Sequence, residues 1–576
     1  MVRDTFLENP VTTEIIRNAF ISAAKEMNEA LFRSAFTPII YEMKDCSVGI
    51  FNEKAELLGQ SAGLPIFLGN LEVAIKVTTD YFGGMDCYNE GDVYILNDSY
   101  LTGTHLNDMT VFSPIFFEGK LVGFTATRAH WLDIGAKDPG YPMDATVIYQ
   151  EGIRIGPTKI MDRGVLRQDV VDLICKNSRF YRNAVGDLHA QIAACKTGEK
   201  RFVEIIKRFG LDTVERCIHD IFLQSELMER EAVAKIPNGV YIAEGCVDND
   251  GTSDEPVQVK LKLTVQDGKM NIDLTGSSKQ VKGSTNCGLA QTISACRVAY
   301  KQLILPNAPV TGGSFKPLTV TAPKGTIFNA EEPAACSWYF TCLGLLIDLC
   351  VKALEDAMPD SVAGAHYGDS MVIYFAGTDP KTGKQFLDVE ATAGGWGGFK
   401  NGDGQDALIN CVNGDFKNLP VEVFEANYPF KVTQYAIRTD SAGPGKNRGG
   451  NGCIREYQSM IDEAYVYLWF ERSRTPAWGV LGGKSGKGPK VIIETGDKRE
   501  EMLKVSAYRL YKGSKVTCLT GGGGGYGNPF EREPERVLND VIQGYITREH
   551  AREEYGVEIT ELGTIDYEAT KKLRNL

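Results

Sequence analysis

The sequence predicts a mixed α+β protein of several domains, in which several mainly antiparallel sheets pack with helices and the C-terminal third is rich in glycine. Three observations lead there. The chain has 576 residues, beyond the size at which a single hydrophobic core usually stops growing. Its apolar residues switch between the three-and-four spacing of helices and the alternation of half-buried strands. Its 61 glycines include doublets and longer runs concentrated towards the C-terminal end, where they serve sharp turns or the close approach of backbone to another chain or ligand.

The elements follow in order. Over 14–35 the residues Ile15, Ile16, Phe20, Ala23, Met27, Leu31 and Phe32 mark one face of an amphipathic helix. Short β-branched and aromatic segments at 46–51, 93–96, 110–117 and 121–127, bounded by Gly, Asn and Asp, predict strands packed on that helix. Residues 166–235 read as largely helical. A second β-rich region starts at Gly239, with alternating runs at 257–263 and 270–274 on either side of an Asp-Gly turn at Asp267. Helices are expected at 292–303, 339–357 and around 548–555. The regions are therefore 1–165, an N-terminal α+β region with the candidate metal site; 166–238, a helical bridge; 239–390, a second α+β region; and 391–576, the glycine-rich region.

Composition excludes several functions. A net charge of -13 and a pI near 5.2 disfavour nucleic-acid or anionic-membrane partners, which need a basic surface. The most apolar helical stretch, 343–351, is interrupted by Asp348 and far too short to span a bilayer. The opening run from Met1 to Pro10 lacks the apolar core of a secretory signal, so a cytoplasmic location is expected. The 14 cysteines contain no C-x-x-C pair, against a zinc ribbon or iron–sulfur site. Cys46, Cys287 and Cys336 lie in Gly- or Ser-rich surroundings that would suit an active-site thiol; the simpler reading is that all are small buried hydrophobes. No glycine run matches a phosphate loop, so no ATP site is expected in this chain.

The chemistry concentrates in one local pattern that occurs twice, His105-Leu-Asn-Asp108 and His130-Trp-Leu-Asp133. Between them lies a predicted hairpin turning near Gly119, whose antiparallel pairing sets Asp108 almost opposite His130. Two imidazoles and one or two carboxylates then meet at a sheet end, a nitrogen and oxygen set suited to Zn, Mn or Fe. Asp45 would complete the shell, and Asp98 and Asp133 suit roles that orient the imidazoles. Arg128, two positions before His130, and the run from Gly140 through Asp144 to Glu151 are candidates to accompany substrate. The competing reading, that His105 and His130 only cap strands, does not account for the duplication across a hairpin. His189, His219, His366 and His550 are read as structural or surface residues, with His366, in Gly-Ala-His-Tyr-Gly-Asp, the one on a loop within reach of a site.

The stretches Asn97-Asp98-Ser-Tyr100-Leu-Thr-Gly103-Thr104-His105-Leu-Asn-Asp108, Arg128-Ala-His130-x-x-Asp133-Ile-Gly135 and Tyr149-Gln-Glu151-Gly-Ile-Arg154 closely resemble the hydantoinase B/oxoprolinase family. So do Asn177-Ser-Arg179, Gly186-Asp187, Pro420-Val-Glu422, Asp440-Ser-Ala-Gly443-Pro-Gly445, Glu471-Arg472, Trp478-Gly-Val-Leu-Gly-Gly483 and the run ending Tyr526-Gly-Asn-Pro529. The resemblance implies a B-type subunit that holds a divalent metal (Zn or Mn) through His105, Asp108 and His130, with Asp45 as neighbour. It further implies an A-type partner that binds ATP and Mg, in an (αβ)2 hetero-oligomer. Asp45, Arg128 and Asp133 are the expected catalytic residues.

The expected activity is ATP-dependent hydrolysis of small cyclic amides such as lactams, hydantoins or oxoproline. The alternatives are ketone carboxylation with bicarbonate and, from another class, a non-catalytic scaffold. The chain departs from the family at Pro65-Ile-Phe67-Leu-Gly69, where members often carry a His in place of Phe67, which points to a more apolar substrate.

Overall fold

The computed structural model describes residues 6–575; the first five residues of the opening run read for a leader lie outside them. Among the described residues the chain forms five mostly antiparallel sheets with helices interspersed, as the alternating periodicity predicts. It divides into two compact units, each assembled from separate stretches of chain. The first comprises residues 1–240, 262–342 and 412–417; the second comprises 241–261, 343–411 and 418–576.

The first unit is organised by a seven-stranded sheet. Its order is Leu57–Gln60, Cys46–Asn52, Lys120–His130, Asp108–Phe117, Val93–Leu96, Thr158–Asp162 and Val165–Leu166. The predicted amphipathic helix is Pro10–Ser34, started by Asn9, whose side chain accepts from the Val11 amide, and by Pro10 in the first turn. It buries Ile16, Phe20, Met27 and Leu31 against helix Tyr181–Phe209 and strand Leu57–Gln60. The helices expected at 166–235 are Gln168–Cys175, Tyr181–Phe209 and Leu211–Val233, the last two separated by Gly210 at φ 82, and they lie within this first unit. Helix Tyr181–Phe209 lies on the two central strands. There Gln191 donates to the Met109 carbonyl at 2.9 Å and accepts from Trp131 Nε1 at 2.9 Å. One apolar core thereby clamps the end of the sheet at which the paired histidines lie. In the same unit, Asp267 and Gly268 take φ 50 and 70, the left-handed pair of a two-residue hairpin turn, and join residues 262–266 to 269–273.

Besides the short pair Glu558–Ile559 and Ile565–Asp566, the second unit contains two larger sheets. One runs Gln385–Ala391, Val372–Thr378, Ala464–Trp469, Lys504–Leu510; the other runs Phe430–Ile437, Cys453–Ser459, Lys515–Leu519, Lys490–Thr495, Lys498–Glu501. Phe375, Phe430 and Tyr457 pack between them, with ring centroids 4.3 and 5.0 Å from Phe375. Helix Tyr339–Ala353 ends four residues earlier than the periodicity predicts. Its last carbonyls are taken up by short bonds from Leu354 to Val351 and from Glu355 to Lys352, which tighten the turn ahead of Pro359.

The clustered glycines serve close approach. Segment 521–525 runs through the midst of other backbone, with hydrogen bonds from Gly395 to Gly521, Gly523 to Gly450, Gly443 to Gly523, Gly398 to Gly524 and Val480 to Gly525. None of the five has a positive φ, so their missing side chains, and not a special conformation, make the packing possible.

One buried acid in this unit works against stability. Arg455 pairs with Glu390 at 2.5 Å, and Tyr457 donates to the same carboxylate at 2.6 Å. Asp388, two residues along the same strand, meets no hydrogen-bond partner at either oxygen. Burial, reinforced by Glu390, pushes its carboxyl well above the usual range, with Arg455 pulling only partly back. A carboxyl raised in the folded state and ordinary in the unfolded one makes the fold lose stability as pH rises above the unfolded value of about 3.9. Asp388→Asn is therefore expected to stabilise the protein at neutral pH by about 1–3 kcal/mol. Its advantage should grow as pH rises above about 4 in denaturant titrations; a constant offset would show that Asp388 does not titrate this way.

Candidate metal centre

Local chain geometry brings the ligands together in steps. Asp98 caps the short helix Ser99–Thr102 by accepting from the Tyr100 amide at 2.9 Å, and Gly103 ends it at φ 90. The turn that follows donates the Asp108 amide to the His105 carbonyl at 3.1 Å, which places both side chains on one side. Asn107 ties this turn to the neighbouring strand: its carbonyl accepts from the Trp131 amide, and its side chain donates to the Trp131 carbonyl, both at 2.8 Å.

The hairpin sets the third ligand by an added residue. Glu118 and Gly119, at φ 49 and 79, form a two-residue turn pairing Phe117 with Lys120. Continued without interruption, that register would set Asp108 opposite Ala129. Val122 has no partner in the ladder, the pairing shifts between Ile115 and Phe116, and His130 arrives opposite Asp108. A β-bulge thus decides which side chain faces the site, since a one-residue slip turns a strand's side chains to the other face.

His105, Asp108 and His130 are all buried and form a group that could hold a metal ion. His105 Nε2 lies 3.0 Å from Asp108 Oδ1 and 3.0 Å from His130 Nδ1, and His130 Nδ1 lies 3.2 Å from Asp108 Oδ1. A cation about 2.1 Å from each donor would separate the donors by about 3.0 Å at right angles or about 3.4 Å at tetrahedral angles. The observed triangle fits a cation on one face with positions left for other ligands.

Tautomer chemistry supports the fit. His105 Nδ1 faces the Ser337 carbonyl at 3.0 Å, which can only accept, so Nδ1 carries the hydrogen. The lone pair of Nε2 then points at a carboxylate oxygen, an arrangement that requires a proton or a cation between them. Burial opposes a charge on His105, but the Asp108 carboxylate outweighs it and raises the imidazole above its ordinary value. Against burial, the two imidazoles hold Asp108 down at about 2. His130 is lowered by burial. Nearby polar atoms lack hydrogen-bond partners although buried: His130 Nε2, Asp45 Oδ1, Arg128 Nη2 and Ser337 Oγ. Such atoms are costly unless a ligand or water meets them.

The other residues expected from sequence take distinct places. Asp45 gives its backbone carbonyl to the His130 amide at 3.1 Å; burial and the charge of Asp108 push its carboxyl well above the usual range, His105 pulling the other way. It lies in the same electrostatic environment but outside the three-residue group. Arg128 is buried and donates to Thr110 Oγ1 at 2.8 Å and Asn70 Oδ1 at 2.7 Å, and burial lowers it to about 10. Phe67 lies under it, 5.7 Å from guanidinium to ring centre. Asp133 instead pairs with Arg179 at 2.7 Å and accepts from the Arg179 amide at 2.6 Å. Asp98 caps its helix and pairs with Arg154 at 3.6 Å. Neither acid orients an imidazole; the Ser337 carbonyl does so for His105.

Two further residues complete the surroundings. Tyr339 donates to Asp108 Oδ2 at 3.2 Å, from 231 positions away in sequence and with no motif to announce it. Glu151 accepts from the Cys336 and Ser337 amides at 2.7 and 2.8 Å and so shapes the loop that carries the Ser337 carbonyl. Burial raises its carboxyl to about 7 against those bonds. Tyr339→Phe is expected to keep the fold and weaken metal affinity by about 10- to 100-fold, the usual effect of removing a partner that orients a ligand. Competition with a chelator measures it, and unchanged affinity would deny Tyr339 that role.

The Hydantoinase B/oxoprolinase family matches residues 9–529. The chain belongs to this family. Among hydantoinase B/oxoprolinase relatives, the B-type component of a putative D-/L-hydantoinase from Pseudomonas sp. (strain NS671) is 34% identical over 99% of this chain and 98% of its own length. The crystal structure of the ATP-dependent caprolactamase from Pseudomonas jessenii superposes with a TM-score of 0.93 at 29% identity, over 99% of this chain and 100% of that one. A nucleotide-free acetone carboxylase structure shares the fold, with a TM-score of 0.90 at 20% identity over 99% of this chain and 83% of that one. No described helix is long and apolar enough to cross a membrane, as expected for this family member from its interrupted apolar stretch. The cysteines are free, and twelve of the fourteen are buried. Burial raises the thiols of Cys46, Cys287 and Cys336, which favours the structural reading of these three.

Proposed function

We propose that this chain is the metal-binding subunit of an ATP-dependent hydrolase of small cyclic amides, working with an A-type, ATP-binding partner. The observation that carries the reading is the buried His105–Asp108–His130 triangle, whose spacing fits a cation and whose His105 Nε2 lone pair requires a proton or a cation against Asp108, in a chain similar over its whole length to a hydantoinase component and a caprolactamase. A relative named as one component of a multi-chain hydantoinase supports the partner.

When bound, a divalent cation supplies Lewis acidity towards a carbonyl or phosphoryl oxygen and lowers the pKa of water. The residues of the chain do the rest. Ser337 fixes the His105 tautomer, and Tyr339 orients Asp108. Arg128 keeps Nη2 free of protein partners, placed to donate to an oxygen of the substrate. Asp45 has an unpartnered carboxylate oxygen beside the centre and is assigned as the fourth ligand or as the group that takes a proton from water. Tyr141, with its ring centre 5.0 Å from His105 and 5.5 Å from His130, and Phe67 line the surroundings with apolar surface. That suits a lactam or aromatic ring better than a hydantoin.

The test is ADP release by this chain with its A-type partner across lactams, hydantoins and ketones, each with and without bicarbonate. Lactam-driven ADP release with the ring-opened amino acid as product is the expected result. ADP release driven by ketones alone, and only with bicarbonate, would replace hydrolysis by carboxylation.

A further inference from the structure

A second constellation of reactive side chains lies in the other unit and includes no residue that the proposed reaction uses. Asp348, on helix Tyr339–Ala353, holds His366 Nδ1 at 2.7 Å through Oδ1. His366 Nε2 in turn faces Cys411 Sγ at 3.3 Å. Arg472 closes the row, with Nη2 3.2 Å from Asp348 Oδ2. Three separate loops and a helix converge to build it, and all four residues are buried: His366 is 4%, Cys411 7%, Asp348 6% and Arg472 3% exposed.

The order thiol, imidazole, carboxylate is that of an activated nucleophile, in which the carboxylate fixes the tautomer and the other nitrogen takes the thiol proton. Asp348 can only accept at Nδ1, so Nε2 is the nitrogen turned to the sulfur. Although burial opposes a charge on His366, the Asp348 carboxylate and then Cys411 lift it to about 10. Arg472 offsets the charge of Asp348, and none of its guanidinium nitrogens makes a hydrogen bond; it lies over Trp478 at 4.7 Å. Moving the proton from sulfur to imidazole leaves the net charge of the group unchanged, and the thiolate and imidazolium it creates are paired with each other at 3.3 Å. The remaining ring neighbours of His366, Tyr367 at 5.9 Å and Trp396 at 5.8 Å, bring no competing carboxylate. Cysteines in this setting are the ones that react, whereas apolar burial leaves the others inert.

We propose that Cys411, His366 and Asp348 form a reactive-thiol site that hydrogen peroxide oxidises to a sulfenic acid. The small residual exposure of Cys411 selects oxidants little larger than water over bulkier electrophiles. In the step, the thiolate sulfur attacks one peroxide oxygen, forming an S–O bond while the O–O bond breaks. The sulfur is oxidised and the peroxide reduced. The departing hydroxide takes the proton held on His366 Nε2 and leaves as water.

The experiment treats the full-length chain with substoichiometric hydrogen peroxide, removes the excess with catalase, unfolds the chain in denaturant containing a dimedone-type reagent so that access does not limit trapping, and locates the labelled sulfenic acid by mass spectrometry. Trapping at Cys411 ahead of the two partly exposed thiols, Cys87 and Cys246, is expected. His366→Asn, which removes the imidazole that takes the thiol proton, should slow it at least 10-fold at neutral pH. As a check that needs neither reagent access nor a folded His366 variant, the native chain minus Cys411→Ser should show an ultraviolet thiolate absorbance at neutral pH. Labelling of Cys87 or Cys246 first, or a thiolate difference that appears only above pH 8, would overturn the proposal.

Discussion

His105→Ala is expected to purify without bound metal and to lose turnover with the A-type partner by about 1,000-fold or more, the scale of several kcal/mol of charge stabilisation. The expectation rests on the triangle. His105 Nε2 is 3.0 Å from both other donors, so its removal leaves the triangle with one imidazole and one carboxylate, a set that even with Asp45 has lost one of its two nitrogen ligands. The fold should survive. The sheet end is held independently by Asn107 and Trp131, by Gln191 against the Met109 carbonyl, and by a continuous apolar core. Loss of one partner by the buried Asp108 costs about 1–3 kcal/mol. Elemental analysis, circular dichroism and ADP release on the same preparation decide the matter. Asp108→Asn and His130→Ala should behave alike. Stoichiometric metal and full turnover in His105→Ala would remove the centre from the mechanism.

Gly523→Ala is expected to destabilise the second unit by about 3 kcal/mol or more. A Cβ at this position would overlap the Trp396 carbonyl, and the same backbone segment is held by bonds from Gly523 to Gly450 and from Gly443 to Gly523. No flexible side chain can give way, because every neighbour is main chain. Gly395→Ala meets the Gly450 carbonyl in the same way. Gly156→Ala is the control, with nothing near its Cβ. Scanning calorimetry should show a transition lowered by roughly 6–12 °C for Gly523→Ala and unmoved for the control. Equal stability of the two variants would mean that the glycine packing relaxes freely.

Much of the fold was legible because its elements obey local rules. Helix Pro10–Ser34 follows from an apolar stripe preceded by Asn9 and Pro10, and the hairpin at Asp267–Gly268 from a dipeptide that takes left-handed φ readily. The pairing of Asp108 with His130 was also anticipated, although by a route the chain does not take: the turn lies half a residue from the assumed centre, and the bulge at Val122 makes up the difference. Periodicity cannot announce a bulge, because one unpaired apolar residue leaves the composition of the strand unchanged.

What the sequence determined by itself was the set of elements, the duplicated His and Asp pattern, and the family to which the landmarks point. Local chemistry suffices for these, since backbone preference and side-chain period act over a few residues. Tertiary structure alone decided that Asp133 serves Arg179 and not an imidazole, that Tyr339 reaches Asp108 across 231 positions, and that His366 meets Cys411. It also decided that the glycines of 521–525 admit neighbouring backbone of their own unit. Each of these depends on which distant segments share a wall. That choice is made by packing summed over the whole unit, and no short stretch of sequence carries it.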